Sequence, residues 1–239
     1  MIDRLIWLRF KRLYASCLIR RRRWPPVIRD HLQAFVQLDL RRPICTTDFV
    51  VFDTETTGLH ARKGDRIVSI SAVRIKEGRI DLSDAFHELV NPDRNIPPKA
   101  AVVHGILPRM VDGKPTLDQI LPSFVQYMGS SILVGHHAWL DMSFLNRGMI
   151  NLYGLPIQNL VLDTVILDEA FGRLKAPSSH ATMKLSSSLS ALAERYHVRI
   201  NGRHSSLGDA LATAQIFQQI LKESRKYGIF SLGDLVRKS

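Results

Sequence analysis

Three short segments of the 239-residue chain place acids in a fixed order: FDTET at 52–56, HHAWLD at 136–141 and HSSLGDA at 204–210. They supply four carboxylates (Asp53, Glu55, Asp141, Asp209) and one imidazole, His204. Gathered acids repel one another, and cations bound between them remove that cost. A set of oxygen donors suits Mg²⁺ or Mn²⁺ rather than zinc. Two such ions roughly 3.5–4 Å apart can clamp the attacking and leaving oxygens of an in-line phosphoryl displacement. An imidazole that titrates near neutrality can take the proton of the attacking water. The expected chemistry is metal-dependent cleavage of a phosphodiester.

The elements that must position these groups follow from the hydrophobic pattern. Asp48–Thr54 reads as a strand, and side chains two apart on a strand share a face, so Asp53 and Glu55 point the same way. Arg66–Ile75 and Arg79–Val90 flank Lys76-Glu77-Gly78, a hairpin turn with glycine supplying positive φ. A proline-rich loop follows, with Pro92, Pro97 and Pro98. Leu117–Met128 has helical period, Ser131–Gly135 is a short buried strand, and a helix runs on to Leu152 with Asp141 early in it. Leu160–Leu162 is a further strand, after which Asp163-Thr164 is expected to cap a helix. Residues 172–188 read as a Ser/Lys/Pro/Gly-rich loop, and Ser188–Tyr196 and Ser206–Ser224 as the last helices. His204 and Asp209 are five apart, which on one helix would turn them about 140° from each other. His204 therefore belongs in the loop before the helix, with Ser205 or Ser206 as the cap. One hairpin plus βα units predicts an α/β fold, a mixed sheet with helices on its faces.

Other residues invite a metal reading and lose it. His136 and His137 are adjacent and point apart, so they and His104 are assigned structural or substrate-contact roles. Two cysteines, Cys17 and Cys45, form no CxxC pair; neither a disulfide framework nor a zinc site is expected, and a reducing, cytoplasmic setting is.

The net charge of +11 is unevenly placed. Residues 1–45 hold eleven basic against three acidic residues, while the remainder holds 22 against 19. The chain accordingly divides into a basic N-terminal helical arm, 1–45, and a main domain, 46–239. In the arm, residues 1–23 read as a basic, partly amphipathic helix that Trp24-Pro25-Pro26 ends, and 27–40 as a second helix. The arm is expected to meet nucleic acid, a membrane surface or a polymerase or other protein partner, or to pack on the main domain through Leu32, Phe35 and Val36. No transmembrane segment is expected, because the longest apolar stretch of the arm, Leu13–Ile19, is far too short to span a bilayer. Basic flanks and the lack of a small-residue cleavage site also argue against a secretory signal, and the scarcity of serine against a transit peptide.

With these residues in place, the sequence resembles the DEDDh branch of the DnaQ-like 3′–5′ exonucleases, the family of the proofreading epsilon subunit of bacterial DNA polymerase III. FVVFDTETTGL is similar to the first exonuclease motif, LVGHHAWLDMSFL to the second and HSSLGDALATAQIF to the third. LVNP at 89–92, VHGI at 103–106 and LDT at 162–164 are lesser family features in the expected order. The resemblance runs from about Phe49 to Leu221 and implies an RNase H-like fold, two Mg²⁺ or Mn²⁺ ions, and release of nucleoside 5′-monophosphates from the 3′ end of DNA, more as a single strand than a duplex. It assigns Asp53, Glu55, Asp141 and Asp209 as catalytic metal ligands and His204 as general base. It further assigns Thr56, Thr57, Gly58 and Leu59 to the terminal nucleotide, with Leu59 near the base. His137, a substrate-contact candidate, stands where the family often has Asn.

Beside an adaptor role, in which the arm binds a polymerase or membrane and nuclease activity is secondary, two alternatives remain at this level. One is an exoribonuclease of the same fold, because 2′-OH discrimination depends on pocket shape. The other is a non-catalytic nucleic-acid-binding module, against which the intact set of five residues argues. Little of the chain follows Leu221, so a free-standing repair or turnover nuclease is expected before a replicative proofreader.

Overall fold

The computed structural model describes residues 4–21, 23–175 and 186–239. Among them, five strands form one sheet in the order β3-β2-β1-β4-β5. The strands are β1 (Phe49–Thr56), β2 (Ile67–Lys76), β3 (Arg79–Leu89), β4 (Ile132–Gly135) and β5 (Val161–Asp163). β1, β2 and β3 are antiparallel, whereas β4 and β5 run parallel to β1. β1 is thus the central strand, and the apolar run Phe49-Val50-Val51-Phe52 is buried on both faces, as a covered strand must be. The β2–β3 turn forms at Glu77 and Gly78, which both have positive φ. That combination is what a two-residue turn needs to match strand twist.

Helices α1 (Arg4–Arg21) and α2 (Pro26–Val36) precede the sheet; α3 (Pro98–His104), α4 (Pro108–Val111) and α5 (Leu117–Met128) lie between β3 and β4. Then come α6 (Ala138–Tyr153), α7 (Thr164–Lys175), α8 (Leu189–Arg195), α9 (Ser206–Ser224) and α10 (Leu232–Lys238). The proline-rich stretch expected as loop contains α3 and α4, each with proline at its first position, where the missing N–H is no loss. The loop expected over 172–188 is shorter at its start, since α7 continues to Lys175; residues 176–185 lie outside the described ones. The second arm helix stops at Val36 rather than Leu40. None of the described helices is long and apolar enough to cross a membrane.

The arm is packed into the main core. Leu8, Ala15, Ile28, Leu32 and Phe35 belong to the same apolar cluster as the strands, and Val36 is partly buried against it. His31 accepts a hydrogen bond from the Gln158 amide at 3.0 Å, and its burial pushes its pKa down to about 4. Beyond α2 the chain is stitched to the C-terminal segment: Ile44 N donates to Phe230 O, Leu232 N to Arg42 O and Gly233 N to Leu40 O. Helix α10 is capped by Ser231, whose hydroxyl accepts from Asp234 N while the Asp234 carboxylate accepts in return.

Leu32 is fully buried in α2. Leu32→Ala should cost about 2–5 kcal/mol, read as a fall in Tm on the order of 10 °C. An unchanged Tm would show that α2 adds nothing to the core.

Candidate active site

The site forms where β1 ends. Asp53 and Glu55 lie on one face of β1, opposite Ser71 and Ser69 of β2. Those two serines hold α9: Ser206 Oγ lies 2.7 Å from both Ser69 Oγ and Ser71 Oγ, and Ser71 Oγ is also 2.7 Å from His87 Nδ1. Ser205 caps α9 by accepting from Gly208 N. Asp209 then follows Ser206 by just under one helical turn and projects toward the strand acids. The result is that Asp53, Glu55 and Asp209 each offer an oxygen within 4.8 Å of the others.

Asp141 arrives from the first turn of α6 and is buried. Its Oδ1 accepts from Thr54 N at 2.9 Å and Thr54 Oγ1 at 2.5 Å. Thr54 alternates with Asp53 and Glu55, so this bond ties α6 to β1. Asp141 lies outside the tight group of three, yet near enough for its charge to act on Asp53 and Glu55. The start of α6 is set by Asp163, the expected cap: its carboxylate accepts from His137 N and Ala138 N, and from Val165 N in α7. One side chain therefore fixes two helix starts.

The environment of the cluster favours protonated acids over free anions. Burial first, then the charges of Asp141, Glu55 and Asp209, raises Asp53 well above the carboxylate range. Burial and the charges of Asp209 and Asp141 push Glu55 up to about 7. Burial raises Asp141 to about 6 against the lowering effect of its Thr54 bonds. Arg203 counters this: it donates to Asp209 Oδ2 at 2.6 Å and also lowers Asp53 and Glu55. Among the described residues Asp209 Oδ1 has no hydrogen-bond partner, though it is buried. An orphaned carboxylate oxygen among raised acids is the donor set that divalent cations fit.

The remaining candidates rim this cluster. His204 precedes the Ser205 cap, exposed and at positive φ; it is not part of the ligand-distance group. Thr56 Oγ1 donates to Gly58 O, and Thr57 is buried, its N donating to Arg66 O and its Oγ1 accepting from Arg66 N. A Cβ at Gly58 would run into the Asp65 carboxylate, which would have to shift to admit a side chain there. Leu59 is 66% exposed, a free apolar side chain at the end of this turn. His137 is in the left-handed conformation, which is uncommon for a residue other than glycine. Its ring meets that of His136 edge-on at 4.7 Å, and His136 bonds Thr164 Oγ1 through Nδ1. His104 takes a structural role, its Nδ1 accepting from Ile106 N at 3.0 Å. Ser69, Ser71, Ser206, Thr54 and Arg203 are the residues that sequence reasoning missed. Arg203 alone carried a signal, a cation beside the third acidic motif.

The sequence matches the family described as Exonuclease (RNase_T) over residues 50–217, a span that contains every candidate site residue. A DNA polymerase III subunit epsilon-like protein of Rhodobacter capsulatus is 40% identical across 80% of this chain, which spans 26% of that protein. The DNA polymerase III subunit epsilon of Aquifex aeolicus is 34% identical, covering 80% of this chain and 90% of its own length. Among solved structures, Exonuclease X in complex with 5′ overhanging duplex DNA superposes with a TM-score of 0.57 at 26% identity, over 79% of this chain and 99% of that one. The expected RNase H-like sheet is the fold observed. On this match and on the Aquifex relative, the chain belongs to the DnaQ-like 3′–5′ exonuclease family.

Proposed function

We propose that the chain is a metal-dependent 3′–5′ exonuclease of the DEDDh type, removing nucleoside 5′-monophosphates from DNA 3′ ends. The observation that carries this reading is the approach of Asp53, Glu55 and Asp209 to within 4.8 Å at the end of β1, with Asp141 behind them. These four would hold two Mg²⁺ or Mn²⁺ ions, which supply positive charge to the attacking and leaving oxygens. His204 accepts the proton of the attacking water; its exposure and its place outside the ligand group suit a group that must meet both water and solvent. Leu59 gives the terminal base an apolar surface, and the turn from Thr56 to Gly58, tightened onto Asp65, gives the sugar-phosphate a close approach to backbone. DNA is favoured over RNA because Exonuclease X was captured on duplex DNA. The arm at 1–45 and the exonuclease unit at 46–239 share one core, and we assign the chemistry wholly to the second.

The test is digestion of matched 5′-labelled DNA and RNA oligomers with Mg²⁺ and with chelator. DNA should shorten stepwise from its 3′ end only with the cation. Asp53→Asn, Glu55→Gln or Asp209→Asn should abolish turnover while leaving the fold intact; retained turnover in any of them would sink the metal assignment. His204→Ala should lower the rate by roughly 10²–10⁴ and spare cation binding. A near wild-type rate at neutral pH would remove His204 as base.

The raised acids make cation binding depend on pH. Glu55 has its pKa lifted from 4.5 to about 7 in the folded chain, so the stability associated with its protonated form is present below about pH 4.5 and is lost as pH rises through 7. Cations bind the ionised form and restore that stability. The gain in Tm on adding Mg²⁺ should therefore be small near pH 5 and large near pH 8. An equal gain at both would show that the cation binds elsewhere.

A further inference from the structure

Helix α1 has apolar residues on two opposite faces. Leu8 and Ala15 are buried on the side that meets α2 and α10. On the other side Ile6, Phe10, Leu13 and Tyr14 are 46–68% exposed. On a helical projection these four span about 100° of the helix, a continuous stripe over more than two turns. Exposed Arg9 and Arg20 run along one border of the stripe, and exposed Arg23 follows the helix. The helix contains no acid. Arg12 is excluded from this surface, because its guanidinium donates to the Val36 carbonyl.

We propose that this outer face of α1 is a docking surface for an anionic lipid bilayer, on which the helix lies flat with the Phe10 stripe in the interface and the arginines on the headgroups. The chemistry of the stripe selects among occupants. A phosphate backbone would attract the arginines but has no use for four exposed apolar side chains. A second copy would cover the apolar stripe but would add a second basic helix with no acid on either to offset the charge. An anionic membrane surface meets both halves, apolar side chains entering the acyl boundary and basic side chains meeting the headgroups. The helix does not cross the bilayer, and its inner face stays on the protein core. This docking is independent of the nuclease reading, since the face proposed to dock is the outer one of α1, and the helix packs mainly on α2 and α10.

The test uses the full chain and sedimentation with vesicles of phosphatidylcholine, with or without a third of phosphatidylglycerol. The wild type should bind the anionic vesicles, release at high salt and leave the neutral ones largely unbound. Phe10→Ser with Leu13→Ser, and separately Arg9→Glu with Arg20→Glu, should each weaken binding about tenfold or more. Both pairs are exposed, so Tm and turnover of a short oligomer should stay at wild-type values. Absence of binding to anionic vesicles overturns the proposal. So does equal binding by the Phe10/Leu13 variant, which would reduce the effect to charge adsorption. Self-association of the wild type that this variant disperses, without vesicle binding, would assign the face to a second copy instead.

Discussion

The structure turns on a repulsion. Four carboxylates gather at the end of the central strand, and burial together with neighbouring acids makes Asp53, Glu55 and Asp141 resist ionisation. Such a cluster stands only if the surrounding fold holds each acid in place independently of the others. Asp53 and Glu55 are fixed by the strand itself, Asp141 by two bonds from Thr54, and Asp209 by the seat of α9. Arg203 supplies a neighbouring positive charge that offsets the repulsion, bonded to Asp209. What the fold holds is therefore an arrangement with an electrostatic cost that a bound cation would relieve.

Two small devices carry that arrangement from the sheet to the helices. The first is the hydroxyl group of Ser69, Ser71 and Ser206, which places the start of α9 directly beside the face that bears Asp53 and Glu55. Serine suits this seat because its side chain is short enough for close helix–sheet approach and bonds laterally within the buried interface. The second is Asp163, which satisfies amides at the starts of both α6 and α7. Since Asp141 sits in the first turn of α6, the position of that acid depends on a carboxylate that never enters the cluster. Edge-on packing of Phe217 against Phe49, 4.9 Å between centroids, anchors the middle of α9 on β1 and limits its sliding.

What could be read in the sequence was local. Alternation along β1 gave the shared face of Asp53 and Glu55, Lys76-Glu77-Gly78 gave the hairpin, Asp163 gave a cap, and the five-residue spacing gave His204 its place outside α9. The parts that escaped depend on contacts between distant segments. Ser69 and Ser206 are ordinary polar residues until the fold brings them 2.7 Å apart. The span over 97–111 read as loop because its prolines signal breaks as strongly as they signal helix starts, and only packing decides between the two. The sequence Ser231-Leu232-Gly233-Asp234 did carry a capping-box pattern, but Gly233 argues against a helix there until Leu40 is seen lying against it.

The arm shows why net charge is a poor guide to where a basic segment goes. Its eleven basic residues suggested an outward role, with packing through Leu32, Phe35 and Val36 as the alternative. Yet Leu8, Ala15, Ile28, Leu32 and Phe35 enter the core, and Arg12 and Lys11 turn inward, one onto a backbone carbonyl and the other over the Phe35 ring. Long basic side chains can do this because their aliphatic stems pack while their heads find acceptors or aromatic faces. Once those contacts are subtracted, the outward surface of α1 is defined by its apolar stripe with arginines beside it rather than by charge alone. The positive charge of the arm and the negative cluster at β1 thus answer different demands. The cluster, on the proposed function, is matched to cations, and the arm first to the core and then to a surface that can cover an apolar stripe bordered by arginine.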